Sequence, residues 1–142
     1  MNVTINAEII GLDKVVESVF EKEKIFAAVE RACALLEREA KKKAPKDTGA
    51  LRRSITSEVS YEGEDVVGVV YTPLEYAPYV EYGTGLFAEG GDGRKDVPWR
   101  YQDDEGNWHS TSGQHPQPFM RPAFDENKDK IAKIIAEGIV ND

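Results

Sequence analysis

Apolar and polar residues alternate at the start of the chain, where Val3, Ile5, Ala7 and Ile9 are separated by Thr4, Asn6 and Glu8. A period of two sends successive side chains to opposite faces, so this stretch predicts a strand with one face buried. Gly11 ends it, and Leu12, Val15, Val16 and Val19, with Asp13 near the start, predict a short amphipathic helix. From about Glu21 to Lys43 the period changes. Ile25, Val29, Ala32, Leu36 and Ala40 step by three or four residues, with Phe26 and Cys33 widening the stripe, which is the signature of one long helix. Glu37 with Lys41 and Glu39 with Lys43 stand four apart, and Lys41, Lys42 and Lys43 fall in the last turn, where they complement the helix dipole. Pro45 stops the helix, because the residue before a proline disfavours α geometry.

Asp47 or Thr48 then caps a short turn through Gly49, Ala50 and Leu51. Ile55, Ser57, Val59 and Tyr61 alternate with Thr56, Glu58 and Ser60, while Val66, Val67, Val69, Val70 and Tyr71 are β-branched or aromatic. Two strands joined at Glu62-Gly63-Glu64 follow, ending at Pro73. Tyr76, Tyr79 and Tyr82 recur at every third residue, with Pro78 suited to a first helical position and Gly83 to a stop, so one helical turn is predicted here.

Residues 84–117 differ from the rest: they hold six of the twelve glycines, both tryptophans and both histidines. Val97-Pro98-Trp99-Arg100-Tyr101 and Asn107-Trp108-His109-Ser110, around Asp103-Asp104-Glu105-Gly106, predict a second hairpin with Trp99 and Tyr101 on one face. The remainder of the span is expected to be irregular and mobile. A last helix is expected from near Pro122, with Phe124, Ile131, Ile134, Ile135 and Ile139 on its apolar side and a charged, solvent-facing turn from Glu126 to Lys130.

The totals add limits. A chain of 142 residues is expected to form a single domain, with 40% apolar residues enough for one modest core. Twenty-six acidic against 18 basic residues leave a net charge of −8. Such a chain is a poor general binder of phosphate backbones, though it suits a channel through which DNA slides. The single cysteine excludes an internal disulfide and fits a reducing compartment. No apolar run reaches the ~20 residues that cross a bilayer, and the N-terminus lacks signal-peptide features. The expectation is a protein of the cytoplasm, or of a particle built there, with no membrane partner.

Candidate chemistry is sparse. Cys33 lies on the helical stripe among Ala and Leu, so core packing is favoured over nucleophilic work. No Gly-x-Ser-x-Gly elbow, phosphate loop or dinucleotide fingerprint occurs. Asp103, Asp104, Glu105, His109 and His115 are metal-type donors, but their spacing fits neither a calcium loop nor a zinc site. A metal-dependent hydrolase therefore ranks last, and neither metal nor cofactor nor catalytic residue is expected. Lys41, Lys42, Lys43, Lys46, Arg52 and Arg53 form the basic cluster that a nucleic-acid-binding module would use. Half of it already has an explanation as a helix terminus. Trp99 and Trp108, with Tyr101, either fold back on their own core or anchor a neighbouring subunit. The second is favoured, because Trp and Tyr are enriched at interface hot spots.

Three strings carry a resemblance. They are Ala44-Pro45-x-Asp47-Thr48-Gly49-x-Leu51-Arg52-x-Ser54-Ile55, then Tyr76-Ala77-x-x-x-Glu81-x-Gly83-Thr84, then Pro118-Phe119-x-Arg121-Pro122-Ala123. In this order they resemble the siphophage tail-component family of neck, tail-completion and head–tail joining proteins, over nearly the whole chain. The loop with Pro98-Trp99 and Gly106-x-Trp108 resembles an insertion found in some members. The resemblance implies an α+β domain: a small antiparallel sheet of three to four strands packed against the long helix and the C-terminal helix, with a long Gly/Trp-containing loop or hairpin. It implies a non-catalytic structural role in the virion of a phage or prophage, at the head–tail junction or tail end, after assembly in host cytoplasm. The expected partners are copies of the chain in a ring of six and neighbouring neck or tail proteins, with DNA only as passing cargo. The motif residues then read as architectural. Thr48-Gly49 and Gly83-Thr84 shape turns, and Glu81 is expected to pair with Arg52 or Arg121.

Overall fold

A computed structural model describes residues 1–7, 19–46, 49–91, 93–103 and 105–140. The chain is α+β, and its contacts divide it into two compact units, Met1–Pro73 with Phe119–Asp142, and Leu74–Pro118.

In the first unit, β1 (Asn2–Ala7), β2 (Thr56–Glu62) and β3 (Asp65–Tyr71) form an antiparallel sheet in the order β1-β3-β2. The register sets Gly68 opposite both Ile5 and Val59, and Val66 opposite Ala7 and Tyr61. β3 is therefore central, and its β-branched run is buried at Val66, Val67 and Val70. β2 is an edge and stays largely exposed. The expected hairpin closes at Gly63-Glu64, with Gly63 at φ 62°.

Helix α1 (Val19–Lys43) begins slightly before the expected start and ends at the expected lysines. The predicted stripe is buried at Ile25, Val29, Ala32, Cys33, Leu36 and Ala40, joined by Ala28, while Phe26 at its margin is only half-buried. α1 packs against β2, β3 and the final helix α4 (Met120–Val140). Phe26 meets Tyr61 of β2 at 4.9 Å between ring centroids. Lys41 pairs with Glu37 at 3.8 Å as expected, but Glu39 takes Lys42 at 3.3 Å. Lys43 instead reaches Glu126 of α4, because the packing of the two helices brings that carboxylate within reach.

α4 starts two residues before Pro122, which still sits in the first turn, where a missing N–H leaves no intrahelical bond unmade. Its deepest positions are Met120, Ala123, Asn127 and Ile131, whereas Phe124, Ile134, Ile135 and Ile139 are only half-buried. The expected charged turn is exposed at Glu126, Lys128, Asp129 and Lys130 but interrupted by Asn127. Asn127 tolerates burial because its Nδ2 donates to the Ala123 carbonyl at 2.8 Å. At Gly138 a Cβ would come within 2.5 Å of the Ala28 Cβ, so α1 and α4 approach closely there. The predicted helix of Leu12, Val15 and Val16, and the cap at Asp47 or Thr48, lie outside the described residues.

In the second unit, α3 (Ala77–Tyr82) is the predicted tyrosine turn, with Pro78 at its start and Gly83 after it at φ 82°. The second hairpin is a separate two-stranded ribbon of β4 (Trp99–Gln102) and β5 (Trp108–Thr111). The described strands thus make two sheets, of three strands and of two. The remainder around the ribbon is irregular over 93–98 and 112–119, as expected, and parts of it are tied by backbone hydrogen bonds. Turns at Gly85–Phe87 and Glu89–Gly91 lead away from α3, and the returning chain lies against their start. Thr84 N–H donates to the Gln114 carbonyl at 2.9 Å, Leu86 N–H to the Ser112 carbonyl at 3.0 Å, and Gln117 N–H to the Val80 carbonyl at 2.8 Å. Gly85 permits this approach: its φ is 60°, and a Cβ there would lie 2.2 Å from the Ser112 carbonyl oxygen. Among the described residues, no helix is long and apolar enough to cross a membrane.

Candidate functional site

The first string frames α2 (Ala50–Ser54). Ala44 continues the α1 hydrogen bonding to the Ala40 carbonyl, and Pro45 follows. Gly49 caps α2 in the left-handed region at φ 73°, with no side-chain cap. Leu51 and Ile55 are buried, and the Ser54 hydroxyl donates to the Leu51 carbonyl at 2.6 Å and meets the Thr72 hydroxyl at 2.7 Å. Beside it, Glu37, Arg38, Lys41, Lys42 and Arg52 line a concavity of about 340 Å³. Arg52 Nε and Nη2 are buried there without a hydrogen-bond partner. The basic cluster is thus partly real, but two of its lysines are neutralised by Glu37 and Glu39 and a third by Glu126.

The second string builds α3 and its exit. Ala77 and Glu81 are fully buried and Thr84 half-buried, while Tyr76, Tyr79 and Tyr82 stand exposed. Glu81 is a polar group inside the protein, and it is engaged in an interaction. Arg52 and Arg121, its expected partners, belong to the other unit. The third string straddles the boundary between the units at Pro118/Phe119. Phe119, Met120 and Ala123 are fully buried, whereas Arg121 and Pro122 are half-buried.

The tyrosines, the turns and the ribbon enclose a feature that sequence reasoning missed. A groove of about 680 Å³ is lined by Pro78, Tyr79, Tyr82, Ala88, Glu89, Arg94 and Trp99, with Gly83, Thr84, Gly85 and Gly93 between them. The Arg94 guanidinium lies 5.1 Å from the Trp99 ring centroid and 4.0 Å from the Asp96 carboxylate. The lining is mostly apolar and backbone, which suits an aromatic or aliphatic guest. The every-third tyrosine pattern was a legible signal for one wall. The other walls come from residues distant in sequence.

Trp99 is half-buried beside this groove, and Tyr101 stacks on His109 at 5.3 Å. Trp108 is 59% exposed, with the Arg100 guanidinium 5.2 Å from its ring. At the ribbon turn, Asp103 accepts from the Glu105 and Asn107 amides at 2.9 and 2.8 Å and lies 2.7 Å from His109 Nε2. The hydrogen bond with His109 comes first among the causes that hold the Asp103 carboxyl below its ordinary value, with the Asn107 amide next. No group of three or more His, Cys, Asp or Glu suited to a metal occurs among the described residues. The Cys33 thiol is buried, and burial, aided by Glu37 and Glu30, pushes its pKa up to about 11. It is protonated at neutral pH and has no thiolate to offer as a nucleophile.

Residues 11–83 match the family model described as "Bacteriophage HK97-gp10, putative tail-component". The match takes in the first string and all of the second but Thr84, and stops short of the ribbon and the third string. No curated protein and no solved structure matches the chain.

Proposed function

The chain belongs to the bacteriophage HK97-gp10 tail-component family, and from that premise we propose that it is a non-catalytic structural protein of the virion, serving tail completion or head–tail joining in a phage or prophage. Family membership is the observation that carries this reading. The distribution of exposed apolar surface supports it. Of the eight large apolar side chains that stand exposed among the described residues, seven lie in the Leu74–Pro118 unit and the eighth is Tyr61. Apolar surface gathered in this way marks an interaction face. The open edges of β1 and β2 add backbone groups that a neighbour can pair. The working unit is a homomeric ring of six, stacked on neighbouring neck or tail proteins, and the net charge of −8 keeps its passage from gripping DNA.

The test removes Arg94–Ser112. The variant should keep the α1–α4 core folded by circular dichroism, yet yield no tailed particles when it replaces the wild-type gene. Infectious particles from that deletion would end the proposal that this segment assembles the tail. One observation favours the runner-up, a nucleic-acid-binding module on Lys41–Arg53: the unpartnered Arg52 atoms suit an anion. It predicts a salt-dependent shift of duplex DNA in a gel, and no shift at low salt disposes of it.

A further inference from the structure

The two tryptophans of the ribbon face in opposite directions. Trp99 pairs with Thr111 and Trp108 with Gln102 in the β4–β5 register. Alternation along each strand therefore sends the two indoles to opposite faces. On the Trp99 face is the apolar groove, walled by Tyr79, Tyr82, Ala88 and Arg94. On the other face Trp108 projects with Arg100 beside it. A recess and a projection on opposite faces of one short ribbon cannot meet within one copy. A second copy can join them.

We propose that Trp108 of one copy seats in the Tyr79–Trp99 groove of the next, a reading that rests on the structural role above and names the contact behind it. The groove, at about 680 Å³, is larger than an indole needs and leaves room for the Arg100 stem. Charge agrees with the same occupant. Arg100 travels with Trp108, and Glu89 is the one carboxylate among the described lining residues. The contact uses two different patches, so it is heterologous: copies join head to tail, and the chain of copies closes into a ring where the rotation permits.

Two single-cysteine chains that keep Trp108 and Tyr79 test the contact, Ser110→Cys on the Trp108 face of the ribbon and Ala88→Cys in the groove lining, each with Cys33→Ala. They are mixed, concentrated and oxidised, both as purified protein and as tailed particles carrying both chains. The expected product is a mixed disulfide absent from either chain alone. Disulfides formed only between like chains, or no mixed product in either sample, would overturn the contact. In the otherwise wild-type chain, Trp108→Ala should weaken self-association at least about 30-fold, as loss of a buried aromatic anchor does. Glu89→Arg and Arg100→Glu should each weaken it, and the double variant should recover most of the loss. Equal loss in the double variant counts against the pairing. A groove that takes free indole but no second copy also refutes the proposal. Detection of the protein in tailed particles by mass spectrometry judges the tail role separately, so the contact can fail while that role stands.

Discussion

Substituting Gly85 with alanine should open the second unit without unfolding the first. Two costs arise at this position. A side chain in the left-handed region costs about 1–2 kcal/mol, and Gly85 has φ 60°. The new Cβ would also stand 2.2 Å from the Ser112 carbonyl oxygen and 2.8 Å from Gly113 Cα, both backbone atoms with no rotamer to yield. The chain must separate there, and with it go the Thr84-to-Gln114 and Leu86-to-Ser112 hydrogen bonds, each worth about 1 kcal/mol net. The sum is about 3–4 kcal/mol, or a few hundredfold in the opening equilibrium. Gly63 supplies the control. Its φ is 62°, but nothing lies within 4 Å of its would-be Cβ, so Gly63→Ala should cost only the backbone term of about 1–2 kcal/mol. Amide hydrogen exchange at Thr84 and Leu86 is the assay, with the Leu36 amide of α1 as internal reference. In Gly85→Ala the first two should exchange a few hundredfold faster while Leu36 is unchanged. Protection of Thr84 and Leu86 within threefold of wild type would refute the argument. So would a loss in Gly63→Ala as large as that in Gly85→Ala.

Three further outcomes are expected. Leu36→Ala removes a fully buried side chain between α1 and its neighbours and should lower stability by about 2–5 kcal/mol in urea unfolding. Cys33 should give an alkaline limb to stability. The unfolded thiol ionises near 9.0 and the folded one near 11, so its contribution is intact below pH 9 and declines by about 2–3 kcal/mol as pH rises through 11. Cys33→Ala should lack that limb in pH-dependent thermal melts. Asp103 has the opposite sign. Its folded carboxyl titrates below the ordinary 3.8, so the turn's hydrogen bonds hold above that pH and are lost as pH falls through the folded value. Exchange at the Glu105 and Asn107 amides should quicken there, and Asp103→Ala should show the fast rate at neutral pH.

Much of the first unit was legible because its elements are long and periodic. The α1 stripe from Ile25 to Ala40 and the β-branched run of β3 state their burial directly, and the turn residues at Gly63 state the pairing with β2, although the alternation in β2 belongs to a largely exposed edge. α4 was read less well, since its most buried row includes Asn127, whose burial depends on a hydrogen bond that no hydropathy pattern registers. Tertiary approach also redirected Lys43 to Glu126, where helix spacing pointed to Glu39. In the second unit the ribbon was legible from its turn residues and aromatic strands. The groove was not, because its walls come from α3, two short turns and β4, held together by backbone apposition between residues 84–86 and 112–114.

The family match ends at Gly83, the residue that terminates α3. The segment it covers holds the long helix and the central strand β3, whose sequences are governed by burial. Of the residues it omits, β1 completes the sheet and α4 the core, while 84–118 hold the groove's far wall and both tryptophans, whose placement depends on what they touch. A scaffold fixed by its core and a contact ribbon free to be rebuilt are separable demands on a chain. On this view a ribbon from another family member, grafted between Thr84 and Pro118, should preserve the α1–α4 core and change only which copies assemble together. Co-expressing native and grafted chains, then sizing the mixed assemblies, measures this. Free co-assembly of the two ribbon types would show that assembly is specified elsewhere, on the sheet edges.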